Sequence, residues 1–352
     1  MSDRVAAQFR RHARGPTRTR LVRVVASLVS LACASGCISV SARPRASTQF
    51  WGFTAPWDPR SAASVAAHGS ELGVVVSGFI TLDSASLRPV MLFGDTAMTS
   101  NAGDSGTTGN VRYMALVTTY EGRRFHPETI RILAENSVER AHAAAAVGTM
   151  AGKAAYRGLI LDFEELTPAD LDGLIRVAKE IADSARAHGI SSIAMAVPAT
   201  DTVGYPARPL LSAVDLLVVM LYDQHWLTSP PGPIAAPNWV AGALGTRVGE
   251  VGPSRLVAAL PLYGYQWRSD SATAVVSFAD AEQLARAAHV PLARDPASAT
   301  LHAESPLWSV WVSDATLLDS LVSGARTLGV TKFALWRLGL EDPKVWTNVI
   351  KR

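Results

Sequence analysis

Eight short apolar runs punctuate this 352-residue chain, and most are continuous rather than alternating. They lie at residues 50–54, 72–80, 113–118, 158–164, 192–198, 216–222, 256–263 and 332–336. A strand with one wet face alternates apolar and polar side chains, whereas a continuous run fits a strand covered on both faces, as in a parallel sheet. Helical patterns lie between the runs. One spans about residues 168–188, with Thr167 suited to the N-cap, Pro168 to the first turn, Asp170 to the positive end of the dipole and Gly189 to the stop. Others span about residues 280–288 and 315–328. Eight strands alternating with helices predict an α/β fold, a (β/α)8 TIM barrel. A doubly wound open sheet is the alternative, but no Gly-rich phosphate loop follows the first strand, and no cofactor is expected. Residues 267–309 are long for one connection. Residues 274–278 and 289–292 within them suit short strands, which predicts a small α+β insertion between strands seven and eight.

At 48% hydrophobic and 18% charged residues, the chain can bury a large core. Its formal charge of +3 is unevenly spread: residues 1–36 hold seven Arg and one Asp, so the remainder is slightly acidic. That leaves no electrostatic case for nucleic-acid binding. The same segment reads as an export signal, with a basic start and a short apolar stretch at residues 24–32 that is too short to span a bilayer. Ala34-Ser35-Gly36-Cys37 resembles a bacterial lipoprotein cleavage box. Lipidation of Cys37 would anchor an exported protein to a membrane, facing the periplasm or the outer surface. Cys33 and an ordinary signal peptide are the alternatives. Residues 37–48 would then be a polar tether and residues 49–352 the barrel. Cys33 and Cys37 are the only cysteines and the eight His are scattered, so neither a disulfide in the mature domain nor a metal site is expected.

Residues 158–166, GLILDFEEL, end an apolar strand in three carboxylates. Residues two apart share a strand face, so Asp162 and Glu164 should project together at the C-terminal end, where barrel enzymes carry their chemistry. Glu165 should point the other way, toward the next helix. Two carboxylates in a partly dry pocket cannot both ionise cheaply, so one pKa should rise and supply a general acid. On its own, an Asp-x-Glu pair equally suits helix capping or pairing with an Arg.

The surrounding motifs resemble those of the family 18 glycoside hydrolases, the chitinase-like barrels. Their fourth-strand signature, Asp-Gly-x-Asp-x-Asp-x-Glu, is matched by Gly158, Asp162 and Glu164, with Phe163 at its aromatic position; Arg157 and Ile160 depart from it. Met220-Leu221-Tyr222-Asp223, Leu260-Pro261-Leu262-Tyr263-Gly264, Val310-Trp311-Val312-Ser313-Asp314-Ala315 and the run from Leu335-Trp336-Arg337 to Glu341-Asp342-Pro343 are similar to later motifs. The last two resemble a subgroup that includes spore-cortex-lytic hydrolases and barrels fused to polysaccharide deacetylases and glycosyltransferases.

The resemblance implies substrate-assisted, retaining hydrolysis of β-linked N-acetylglucosamine-containing glycan, either peptidoglycan or an exopolysaccharide. In that scheme Glu164 is the acid and Asp162 orients the acetamido group, aided by Tyr222 and Asp223. Trp336 forms the apolar floor, and Met220 serves packing more than contact. Tyr263, Trp226 and Trp267 complete the expected substrate-binding set, with Trp226 and Trp267 lining a cleft. Tyr156, Trp51 and Trp239 are further candidates, and His225 is expected to be a loop contact. Ile160 replaces an acid beneath Asp162, which should desolvate Asp162 and leaves a catalytically weak, lectin-like glycan-binding barrel as the alternative function. Oligomeric state is left open.

Overall fold

A computed structural model describes residues 48–92 and 111–351. Cys33, Cys37 and the leader and tether expected before residue 48 lie outside the described residues. Eight strands form the barrel: β1 (Gln49–Phe53), β2 (Val74–Leu82), β3 (Arg112–Thr118), β4 (Gly158–Asp162), β5 (Ser192–Pro198), β6 (Leu216–Met220), β7 (Leu256–Pro261) and β8 (Lys332–Trp336). Every neighbouring pair is parallel, and β1 pairs with both β8 and β2, so the sheet closes. This is the expected (β/α)8 architecture, with the strands within two residues of their predicted positions. Between them run α1 (Pro59–His68), α2 (Pro127–Glu135), α3 (Ser137–Lys153), α4 (Leu171–Ala187), the short α5 (Ala207–Leu210), α6 (Pro237–Val251), α7 (Phe278–Ala287) and α8 (Ala315–Thr327). The turn of 3-10 helix at Pro168–Asp170 starts the helix expected from residue 168, and the Asp170 side chain accepts from Thr167 N at 2.8 Å.

The two faces of each strand feed two different cores. On β4, Leu159 and Leu161 pack outward among the helices, while Ile160 points into the barrel. The interior is filled by Trp51, Phe53, Val74, Val76, Phe79, Met114, Leu116, Ile160, Ala194, Ala196, Val218, Val257, Ala259 and Ala334. It is a packed plug, and polar side chains enter only where the strands reach the rim.

The connection after β7 differs from expectation in detail. It is a five-stranded antiparallel sheet, ordered Ala274–Val276, Gly264–Arg268, Trp308–Val312, Leu301–Ser305, Ala293–Arg294, with α7 packed on it. It therefore starts earlier and ends later than residues 267–309. Residues 289–292 are not a strand: His289 takes a left-handed turn (φ 56°), and the strand begins at Ala293.

Several motif residues serve the fold rather than a site. Asp314 caps α8 by accepting from Leu317 N at 3.0 Å and is gripped by Arg294, 2.6 Å away. Asp342 accepts from Ala315 N at 3.1 Å. Glu341 binds Ser64 Oγ and the Gly339 amide, tying the chain after β8 to α1. Gly339 has φ 94°, and a Cβ there would lie 2.5 Å from the Arg60 carbonyl carbon.

Gly264 crosses the neighbouring strand so closely that a Cβ would fall on the Trp311 carbonyl and the Val312 backbone. Neither can swing aside as a side chain tip would, so the strand must move. Gly264→Ala should cost about 1–3 kcal/mol of stability. Urea unfolding checks this, and a midpoint equal to the parent's would refute it.

Candidate active site

At the C-terminal rim of the barrel lies a cleft of about 1010 Å³. Asp162, Glu164, Met220, Tyr222, Asp223, Trp226, Trp239 and Trp336 line it. The strand alternation that sends Ile160 inward also sends Asp162 and Glu164 inward, the second just beyond the last ladder pair of β4. Phe163 between them packs outward and is buried. Glu165 is exposed with φ 60°, so the chain turns out of the strand at this point rather than placing Glu165 against the next helix. Tyr205 fixes that turn: its hydroxyl donates to Phe163 O at 2.8 Å and accepts from Leu166 N at 3.2 Å.

Burial pushes both acids above the ordinary carboxylate range. For Asp162 the loss of water dominates, and a long hydrogen bond from Thr118 Oγ1 (3.4 Å) offsets it only in part. Glu164 is raised further, because it loses water and also feels the negative charges of Asp162, Asp223 and Glu165. Among the described residues no cation compensates it. Such a carboxyl keeps its proton near neutral pH, which is the state a general acid needs.

The aromatic wall follows from three strand ends. Trp336 is held edge-on by Phe53 (5.7 Å, 68°) and roughly parallel to Tyr222 (6.4 Å, 15°). Asp223 receives hydrogen bonds from the Tyr263 hydroxyl and, at 2.9 Å, from the Tyr265 hydroxyl. Loss of water raises the Asp223 pKa against these two donors.

No family model matches the chain. Among curated proteins it is similar to the cortical fragment-lytic enzyme of Bacillus anthracis, 23% identical over 273 residues, 72% of this chain and 63% of that protein. The cortical fragment-lytic enzyme of Bacillus subtilis is 23% identical over 267 residues, 69% of this chain and 62% of that protein. The chain thus spans less than two thirds of the length of these relatives. Among solved structures, a chitinase from Chromobacterium violaceum overlays with a TM-score of 0.76 at 19% identity, covering 86% of this chain and 98% of the other. The Bacillus cereus spore cortex-lytic enzyme SleL gives 0.75 at 19% identity, covering 87% and 74%. These likenesses show the fold, a (β/α)8 barrel like those of the chitinase and the cortex-lytic enzyme.

Within the barrel the two departures from the fourth-strand signature fall in different places. Arg157 is exposed at the start of β4, where its amide donates to Tyr113 O at 2.8 Å, at the end of the barrel away from the cleft. Ile160 is fully buried directly below Asp162, in the apolar plug.

Not every expected cleft residue reaches the cleft. Trp267 and Tyr263 do not line it. Trp267 packs behind, among Tyr263, Tyr265 and Leu340, and donates from Nε1 to the Trp226 carbonyl at 3.2 Å, because its strand belongs to the insertion sheet rather than to the barrel. Tyr156 is buried in the outer core and Trp51 in the barrel plug. His225 is a loop contact, with Nδ1 3.0 Å from Pro230 O. Sequence reasoning missed Thr118, Tyr205, Tyr265, Trp57 and the hairpin Tyr120–Glu121/Arg124–Phe125. Tyr265 carried a usable signal, since it lies two residues from Tyr263.

The raised acids set a pH dependence of stability. In the unfolded chain Glu164 and Asp162 titrate in the ordinary range, so over the window above it the native state holds more protons than the unfolded state. Their contribution is complete below the unfolded pKa and is lost as pH rises through the folded pKa. Glu164→Gln should therefore be more stable than the parent by about 1–3 kcal/mol near pH 8, a gain that vanishes near pH 4. Urea titrations at both pH values measure it, and a constant difference would contradict the burial argument.

Proposed function

We propose that this chain hydrolyses β-linked N-acetylglucosamine-containing glycan with retention of configuration, using the substrate's own acetamido group as nucleophile. The observation that carries this is the pair Asp162 and Glu164, turned into one cleft beside Tyr222 and Trp336 with both pKa values pushed up. Glu164 gives its proton to the glycosidic oxygen as the bond to the anomeric carbon breaks. The acetamido carbonyl oxygen attacks that carbon, and Asp162 accepts from the acetamido N–H and balances its growing positive charge, with Tyr222 and Asp223 completing the polar side. Glu164, now a base, takes a proton from the water that opens the intermediate. Trp336 offers an apolar floor to the sugar ring.

The relatives include cortex-lytic enzymes and a chitinase, which favours a glycan of this class, with peptidoglycan or an exopolysaccharide at the cell envelope as substrate. Ile160 is the one feature that favours a second function, glycan binding without cleavage, since it removes an acid that could share a proton with Asp162. Glu164→Gln separates the two. Removing the acid should lower cleavage of peptidoglycan or N-acetylglucosamine oligomers by about a hundredfold or more while oligomer binding persists. Binding by both proteins with cleavage by neither would establish the lectin-like function instead.

An envelope location rests on Cys37 as a lipidated residue. Cys37→Ser should release the protein from the membrane fraction to the soluble fraction on cell fractionation, and retention of the lipid label would refute Cys37 as its site.

A further inference from the structure

The hairpin that follows β3 forms part of one wall of the cleft. Tyr120 pairs with Phe125 and Glu121 with Arg124, which leaves Gly122 and Arg123 as a two-residue turn. Both have positive φ, 58° and 75°, as a two-residue hairpin turn of the favoured hand requires. At its second central position that turn prefers glycine, because a Cβ crowds the backbone there. Here an arginine occupies it.

The hairpin is firmly seated. Thr81 Oγ1 donates to Tyr120 O at 2.8 Å, and the Tyr120 and Phe125 rings meet edge-on at 5.1 Å. Two of its three charged side chains are engaged by the fold: Glu121 accepts from Ser84 N at 3.1 Å, and Arg124 pairs with Glu128 at 3.1 Å. Arg123 is different. It lines the cleft, and among the described residues its guanidinium makes no hydrogen bond or ion pair. The other charged residues that line the cleft among the described residues, Glu121, Asp162, Glu164 and Asp223, are all acidic. A neutral amino-sugar polymer gives such a cleft no use for a cation. A guanidinium held free on a fixed turn suits a carboxylate, which it grips through two parallel N–H donors.

We propose that Arg123 reads a carboxylate substituent on the bound glycan, so that the cleft prefers an acidic amino-sugar polymer over a neutral one. This rests on the glycan function proposed above. The carboxylate has two chemical sources: the lactyl ether of a muramoyl residue, or a uronic acid alternating with the amino sugar.

The experiment uses the parent protein, Arg123→Gly and Arg123→Lys, each with Glu164→Gln to prevent turnover. Glycine suits the positive φ, so Arg123→Gly should fold, which a thermal melt verifies. Calorimetry measures affinity for a neutral N-acetylglucosamine hexamer, for peptide-free N-acetylglucosamine–muramic acid strands, and for hyaluronan oligomers. Arg123→Gly should lose about tenfold in affinity for a carboxylated oligomer and keep its affinity for the neutral hexamer, with part of the loss recovered by Arg123→Lys. Loss confined to the muramoyl strands identifies the lactyl source, and loss confined to hyaluronan the uronate. An equal loss on the neutral hexamer, or no loss on either acidic oligomer, overturns the proposal and leaves the glycan function standing. Failure of the parent to bind any of the three overturns both.

Discussion

The barrel interior is dry up to its rim, and the chemistry at the rim depends on that. Ile160, Ala194, Val218, Ala259 and Ala334 close the space beneath the acids with hydrocarbon. Water therefore reaches Asp162 and Glu164 only from the cleft side. Ionising either one strands a negative charge against a medium that cannot solvate it, and ionising both adds their mutual repulsion. Without the plug the loss of water that raises both would be relieved, and only the repulsion among the neighbouring acids would remain to raise Glu164. Packing and protonation state are thus one property, set by strand alternation and by closure of the sheet through β1.

The insertion after β7 extends this logic to the third acid. Gly264 lets its first strand press against Trp308–Val312, and the same segment carries Tyr263 and Tyr265, whose hydroxyls fix Asp223. Asp223 has φ 57°, so its side chain is presented from a left-handed turn rather than from the β6 ladder. An element that looks like a decoration on the barrel therefore orients a carboxylate at the end of the neighbouring strand, β6. Trp267 belongs to this support: it contributes by packing behind the cleft and by gripping the Trp226 carbonyl, while the Trp226 ring itself stands half in solvent.

What could be read from sequence follows from the range of the forces involved. Strand alternation is local, so the eight strands and the inward placement of Asp162 and Glu164 were legible within a few residues of their true positions. The insertion was legible only as excess length, because its antiparallel pairs join residues as far apart as Gly264 and Val312 and have no local signature. Proximity to a strand end suggests Trp267 for the cleft, but Trp267 faces away from it because its strand pairs outside the barrel. Tyr205 fastens the turn after Glu164 from about forty residues downstream, which no spacing rule connects. The hairpin at residues 120–125 was hidden for a different reason: its two-residue strands are too short to show a period.

Ile160 takes on a sharper meaning in this setting. An acid at that depth would give Asp162 a neighbour with which to share a proton below the floor of the cleft. With isoleucine there, Asp162 shares charge sideways, toward Glu164 and the Thr118 hydroxyl. In the proposed mechanism, the proton on Glu164 for leaving-group departure and the charge on Asp162 beside an acetamido N–H are two halves of one titration. The useful state is the singly protonated pair, with the proton on Glu164, whose pKa is raised the further of the two. On that proposal, a substrate whose acetamido nitrogen becomes positive would stabilise this distribution of charge by favouring the ionised form of Asp162. The proposed mechanism then makes correct protonation depend on the bound sugar, because Ile160 offers no third acid beneath Asp162.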